Sequence, residues 1–344
     1  MSIISTENRS LKGGEFLIKS MNTSEGFFPE DFTEEHNMII ETVRDFISKE
    51  IVPNIAKMEK QEDNIAGTLL EKFGALGFIG TQIPEEYGGM DMDFNTNTII
   101  GFEIGNASSF SVTYNAHTGI GMLPILYFGT KEQKDKYLPK MVAGEIKAAY
   151  CLTEPSSGSD ALSAKSTAVL SADGSHYILN GQKMWITGAG YADWFFVLAY
   201  TNKEAGYKGM SGFIVEADLD GVELGKKEEN MGQRCSDTRS VTFNNVRVPV
   251  ENLIGGKEND GWMNAMKAFD LSRPSIASHA VGNARGAMEE AIDYASERNA
   301  FNKPIIRHQA ISFMIADMAT KIEAARMLVW KAALKADSGK KNTL

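Results

Sequence analysis

Cysteine is scarce in this chain, and the two present, Cys151 and Cys235, cannot build a disulfide framework across 344 residues. Histidine is nearly as rare: five residues, scattered along the sequence, show no metal-ligand spacing. Long apolar runs are missing too. No stretch approaches the roughly 18 consecutive apolar residues of a membrane span, and the opening MSIISTENRS lacks the apolar core of a signal peptide. A soluble, cytoplasmic protein is expected. Positive charge is in deficit, because 35 Lys and Arg against 45 Asp and Glu leave a net charge of −10. A nucleic-acid backbone would be repelled, so any phosphate-bearing cofactor must be held by local donors. Neither an internal repeat nor a low-complexity segment occurs.

What is present is a hydrophobic content of 43%, enough for substantial cores, and a length that suggests two or three domains. Behind an N-terminal extension, 1–30, Ile39, Ile40, Val43, Phe46, Ile47 and Ile51 recur at three- and four-residue steps after a cap at Asp31 or Thr33. Pro53 is expected to limit that helix. A second helix carries Leu69, Leu70, Phe73 and Leu76, and others are predicted over 96–108 and 131–142, so residues 31–149 read as a helical domain. Residues 150–255 change character. Runs such as STAVL, HYILNG, WFFVLAY, SGFIVE and SVTFNN, broken by DG, NG and Gly-rich turns, predict an antiparallel β domain. Helical periodicity returns in 256–344, around 276–298 and 309–335, the latter with Ile311, Met314, Ile315, Met318, Ile322 and Ala325 on one stripe. Gly282 and Gly286, one turn apart, would admit a close neighbouring helix. The fold class is α+β and multidomain, in the order helical, β, helical.

Two segments carry chemistry. In Tyr150–Asp160, YCLTEPSSGSD, Pro155 and Gly158 break regular structure while Thr153, Ser156, Ser157 and Ser159 crowd a turn with hydroxyls and leave backbone N–H groups free to face an anion. In KMWITGAG, from Lys183, Trp185 offers a flat apolar face beside the Thr187 hydroxyl, a pairing suited to an aromatic ring system with hydrogen-bonding edges. Taken singly, Trp185 is as readily a strand residue in a core, and the serines turn formers. Cys235 reads as a small buried residue, and His117 as a satisfied structural one.

The segment CLTEPSSGSD, followed at the right spacing by the tryptophan motif, resembles the signature of the acyl-CoA dehydrogenase family. The likeness extends through IPEEYGG, FGTKEQKDKYLP, MGQRCSDTR, FDLSRP and HQAISFMIADMA. It implies an N-terminal helical domain, a middle β domain and a C-terminal four-helix bundle. It also implies FAD bound at Tyr150, Cys151, Leu152, Thr153, Gly158, Ser159, Trp185, Ile186 and Thr187. The Leu152–Thr153 backbone would meet the flavin's pyrimidine edge, Ser159 the pyrophosphate, and Trp185 with Thr187 the isoalloxazine. Arg298, Phe301 and Gln309 would reach the FAD of a neighbouring subunit in a homodimer or homotetramer, although Ala300 and Asn302 depart from the family pattern there. Asp270, Arg273 and Ser159 would hold the CoA substrate, although an ion pair between Asp270 and Arg273 suits their spacing equally.

The reaction so implied is α,β-dehydrogenation of an acyl-CoA, with electrons passed to an electron-transferring flavoprotein. Its base is a glutamate. Most members carry it in an EGT-type motif that this sequence lacks, and a minority place it at the position of Ser272, which is no base of the needed strength. No catalytic residue is therefore assigned here, and the resemblance puts the glutamate beyond Leu344, in a bundle of which ALKADSGKKNTL would be an internal loop. Ala116 in TYNAHTGIGMLP favours a deep acyl pocket, KGGEFLI resembles very-long-chain members, and MGQRCSDTR resembles shorter-chain ones. The expectation is a straight-chain substrate, medium to long. Two other readings share the fold: an FAD-binding assembly protein without catalysis, and an acyl-CoA oxidase-like flavoenzyme.

Overall fold

The computed structural model describes residues 31–339 apart from 61 and 63. The N-terminal extension with KGGEFLI, and residues 340–344 of the closing segment, lie outside the described residues. A capping box starts the first helix: the His36 N–H donates to Thr33 Oγ1 and the Thr33 N–H to His36 Nδ1, both at 3.2 Å. This helix, α1 (Glu34–Phe46), buries Ile39, Ile40, Val43 and Phe46. Pro53 does not stop the chain's helical course. A π turn, Ile47–Ile51, and a 3-10 turn, Val52–Asn54, place the proline at a turn's start, where a missing N–H is tolerated. Helix α2 (Ile55–Lys60) then follows directly.

Helices α3 (Ile65–Ala75), α4 (Phe94–Ile104), α5 (Phe110–Asn115), α6 (Leu123–Phe128) and α7 (Lys131–Val142) complete the first helical region. Leu76 caps α3 and is exposed, so the stripe ends at Phe73. A second π turn, Ala116–Gly121, joins α5 to α6.

The strands are β1 (Ala148–Cys151), β2 (Thr167–Leu170), β3 (His176–Ile186), β4 (Trp194–Tyr200), β5 (Met210–Glu216), β6 (Val222–Leu224) and β7 (Arg239–Pro249). They form one sheet in the order β1-β4-β2-β3-β7-β6, with β5 also on β4. Most pairings are antiparallel, but β1 runs parallel to β4. Strand β1 puts Tyr150 in the core shared with the helices and Cys151 in the sheet's own core, and Leu152 after it packs against the former.

Helix α8 (Gly261–Glu297) is longer than its periodicity suggested, starting well before residue 276. Pro274, which removes one helical hydrogen bond, lies inside it. Burial of Ala265, Ala268, Ser272, Ser275 and Ser278 on both sides of the proline holds the helix continuous. A hairpin of β8 (Asn299–Ala300) and β9 (Lys303–Pro304) turns the chain into α9 (Gln309–Asp337). Of the α9 stripe, Ile322 is buried whereas Met314 and Met318 are exposed. The Asp337 carboxylate accepts from the Phe94 N–H at 2.7 Å and caps α4.

Helices α4 and α8 pack backbone against backbone. A Cβ on Gly282 would stand 2.0 Å from the Phe102 carbonyl oxygen, and one on Gly105 2.5 Å from that of His279. Beside this seam, the buried Glu103 accepts from Arg285 at 2.9 Å through both oxygens and from Arg44 at 2.8 and 3.1 Å. Burial opposes its ionisation, but these two guanidinium groups outweigh it and hold the carboxyl below its ordinary range. Among the described residues no helix is long and apolar enough to cross a membrane.

Candidate functional site

Strand β1 ends at Cys151 and releases a strap, 152–160, across the end of β3. The Met184 N–H donates to the Thr153 carbonyl at 2.8 Å, joining strap to strand. The strap folds on itself through a bridge in which the Glu154 N–H donates to Ser157 O at 2.8 Å and the Ser157 N–H to Glu154 O at 3.1 Å. Beneath lies an ion pair, Lys183 Nζ to Glu154 Oε1 at 2.8 Å, both side chains buried. Lys183 also donates to Leu198 O at 2.7 Å and Leu152 O at 3.2 Å, and Glu154 accepts from the Lys165 and Ser166 N–H groups. Burial pulls the Lys183 ammonium below its ordinary value, and Glu154 opposes this. On Glu154 burial acts upward, but the charge of Lys183 and the converging donors hold it ionised.

Between Lys183 and Ile186 the β3–β7 register shifts, and there Trp185 takes φ +60°, a left-handed value that bulky residues avoid. Its side chain turns out of the sheet, 59% exposed. The next turn is pinned from the other side. Gly188 N–H donates to Ser236 O at 2.7 Å, and a Cβ on Gly190 would stand 2.1 Å from the Asp237 carboxylate, itself held by Arg239 at 2.7 Å.

The predicted site residues separate into groups. Leu152, Thr153, Gly158, Ser159, Trp185 and Thr187 share the strap and the β3 end; a Cβ at Gly158 would meet only open space, and the hydroxyls of Thr153, Ser159 and Thr187 make no hydrogen bond among the described residues. Tyr150, Cys151 and Ile186 point into the cores beneath, so they can offer only backbone. The Tyr150 ring stacks on Phe196 at 4.7 Å, with its hydroxyl buried and unpartnered. Arg298, Phe301 and Gln309 stand exposed at the α8–α9 corner. Asp270 and Arg273 meet each other at 2.8 Å, the guanidinium 6.0 Å from the Phe269 ring, at a cleft of about 360 Å³ that Leu328 and Val329 also line.

A narrower crevice separates α8 from the first helical region. Ile79, Ile83, Gly119, Leu123, Leu271 and Ser272 line it, and Ser275 donates to Asn115 Oδ1 at 3.1 Å beside it. It contains no carboxylate among its described lining residues. The π turn Ala116–Gly121 forms part of its wall, a local widening often found at working sites. His117 in that turn is structural: Nδ1 accepts from the Ala148 N–H at 3.3 Å, Nε2 lies 3.1 Å from Met141 O, and burial lowers it to about 4. Burial raises the Cys235 thiol to about 12, which leaves it unreactive.

Sequence reasoning missed Lys183 and Glu154. A signal existed. Lys183 has the strand parity of Tyr177 and Leu179, both on the buried face of β3.

Sequence models of acyl-CoA dehydrogenase match this chain in order: the N-terminal domain over residues 33–145, the middle domain over 149–246 and the C-terminal domain over 259–344. The chain belongs to the acyl-CoA dehydrogenase family. It is 44% identical over 302 residues to an acyl-CoA dehydrogenase of Bacillus subtilis (strain 168), covering 88% of this chain and 79% of that protein. A probable acyl-CoA dehydrogenase of the same organism is 42% identical over 320 residues, 93% of this chain but 53% of the relative. The crystal structure of an acyl-CoA dehydrogenase complexed with FAD from Bacillus anthracis superposes with a TM-score of 0.90 at 42% identity, over 96% of this chain and 56% of that one. The chain thus spans about half the length of two of these relatives.

Proposed function

We infer that the chain seats FAD and serves the α,β-dehydrogenation of a straight-chain fatty acyl-CoA, medium to long, to its trans-2-enoyl-CoA. Electrons then pass to an electron-transferring flavoprotein, and the working form is a cytoplasmic homodimer or homotetramer. One observation carries the reading: the strap and the β3 end are joined by the Met184–Thr153 hydrogen bond, and together they carry an exposed indole, hydroxyls that make no hydrogen bond among the described residues and an open glycine. A flat ring system with a polar edge and an anionic tail fits that combination. Bound FAD would supply the hydride acceptor that the substrate's β carbon requires.

The chain's own residues would do the rest. The Leu152–Thr153 backbone would hold the polar edge of the flavin, Trp185 and Thr187 its ring, and Ser159 the pyrophosphate. Arg298, Phe301 and Gln309, exposed at the α8–α9 corner, would serve the seat of a neighbouring copy. Asp270 and Arg273 would exchange their mutual ion pair for contacts with the CoA moiety, and the crevice beside Gly119 and Leu123 marks the candidate entry for the acyl chain. Removal of the α proton needs a carboxylate, and neither Ser272 nor another described residue lining the crevice supplies one.

The test is anaerobic titration of the purified protein with acyl-CoAs of graded length, following the oxidised flavin band. Bound flavin, and bleaching by medium or long chains whenever a base is present in the protein tested, supports the reading. Protein that neither retains nor rebinds FAD overturns it, and rapid reoxidation by oxygen alone would replace the flavoprotein acceptor with an oxidase cycle.

A further inference from the structure

We propose that Lys183 is a positioning residue whose buried ammonium aims a backbone donor at the cofactor seat; this rests on the flavin reading above. Its side chain is 0% exposed and all three hydrogens are used, on Glu154 Oε1, Leu198 O and Leu152 O. The last contact matters most. In a trans peptide the carbonyl and the following N–H point in opposite directions, and no described peptide bond is cis. Drawing the Leu152 carbonyl inward therefore turns the Thr153 N–H outward, away from the ammonium.

That N–H makes no backbone hydrogen bond among the described residues, whereas its neighbours are committed. Thr153 O accepts from Met184, and the Glu154 N–H donates to Ser157. The strap thus presents a free donor next to the strand residue that precedes Trp185, where a carbonyl on a flat heteroaromatic edge can accept it. A pair needed only for stability has a simpler substitute. Hydrocarbon of similar volume often replaces a buried ion pair without loss, but it cannot hold the Leu152 carbonyl.

Apo-protein is titrated with FAD by flavin fluorescence for the parent, Lys183→Met, Lys183→Arg and the double variant Glu154→Gln with Lys183→Met. The double variant removes both charges yet keeps an acceptor for the Lys165 and Ser166 N–H groups, so it carries the test if Lys183→Met fails to fold. It should melt near the parent yet bind FAD about tenfold more weakly, the equivalent of roughly one hydrogen bond. Amide exchange across 150–160 should accelerate in the apo form, and Lys183→Arg should recover part of the affinity. A folded double variant binding FAD within about threefold of the parent, with unchanged exchange in the strap, overturns the proposal. A parent that binds no FAD is a separate result, seen before any variant: it removes the functional reading and this inference with it.

Discussion

Alanine at Gly282 and alanine at Gly286 are chemically the same change on the same helix, one turn apart, yet the structure predicts opposite outcomes. Each substitution gains about 1 kcal/mol of helix propensity. At Gly282 the new methyl would stand 2.0 Å from the Phe102 carbonyl oxygen, 2.9 Å from its carbon and 3.1 Å from Gly105 Cα. All three are backbone, so no rotamer change relieves them. Helices α4 and α8 would have to part by about 1 Å to restore ordinary contact, at the overpacking cost of roughly 1–3 kcal/mol or more. The separation also stretches the 2.6 Å bond from Ser278 Oγ to Thr98 O and the Arg285 contacts with Glu103. Gly282→Ala should therefore lose about 2 kcal/mol net. At Gly286 the clash, 1.9 Å, is with Asn106 Oδ1, the end of a side chain that can swing aside. That variant should be neutral or up to about 1 kcal/mol more stable. Urea unfolding followed by far-UV circular dichroism measures both. Equal midpoints for the two variants would refute the reasoning, because they would mean that the helices separate freely.

Two further outcomes are expected. Burial lowers His279 to about 3 and His117 to about 4, against roughly 6.5 in the unfolded chain; their neutral forms favour the fold, so this stability is complete above about pH 6.5 and is lost as pH falls toward 4. Because burial dominates the lowered His279 value, His279→Leu should flatten the acid limb of a stability–pH curve by up to about 1.4 kcal/mol per unit; an unchanged slope would refute its role. Trp185→Gly should leave the melting temperature unchanged or raised, because a left-handed backbone at a bulky residue costs about 1–3 kcal/mol, while FAD binding weakens. A clear fall in melting temperature would show that the indole serves packing.

Local chemistry was the most legible part of this sequence. The helix predicted over 131–142 is α7, and the Gly282 spacing announced a close neighbouring helix, which is α4. Long-range events were not legible. Nothing within AAYC states that it pairs in parallel with WFFVLAY, since that pairing depends on where the intervening chain travels. Pro274 hid the first half of α8 because a proline's local effect is disruptive, and only burial on both flanks overrides it. At the site, the strap and the tryptophan segment were visible as motifs. Their coupling was not: Glu154 and Lys183 are far apart in sequence, and a charge predicts solvent until its partner is known.

The hairpin after α8 carries one further consequence. Phe301 and Asn302 both sit at left-handed φ, +53° and +62°, as a two-residue turn of the mirror-image type requires. Asparagine suits that geometry, whereas phenylalanine does not, and its ring, 89% exposed, meets the His308 ring edge-on at 5.8 Å within its own chain. A library randomised at 301 and sorted only for resistance to heat should drift to glycine, asparagine or aspartate. Sorted instead for flavin retention by the assembled protein, it should hold phenylalanine, so the two enrichment profiles would separate what this corner does for its own fold from what it does for a neighbour.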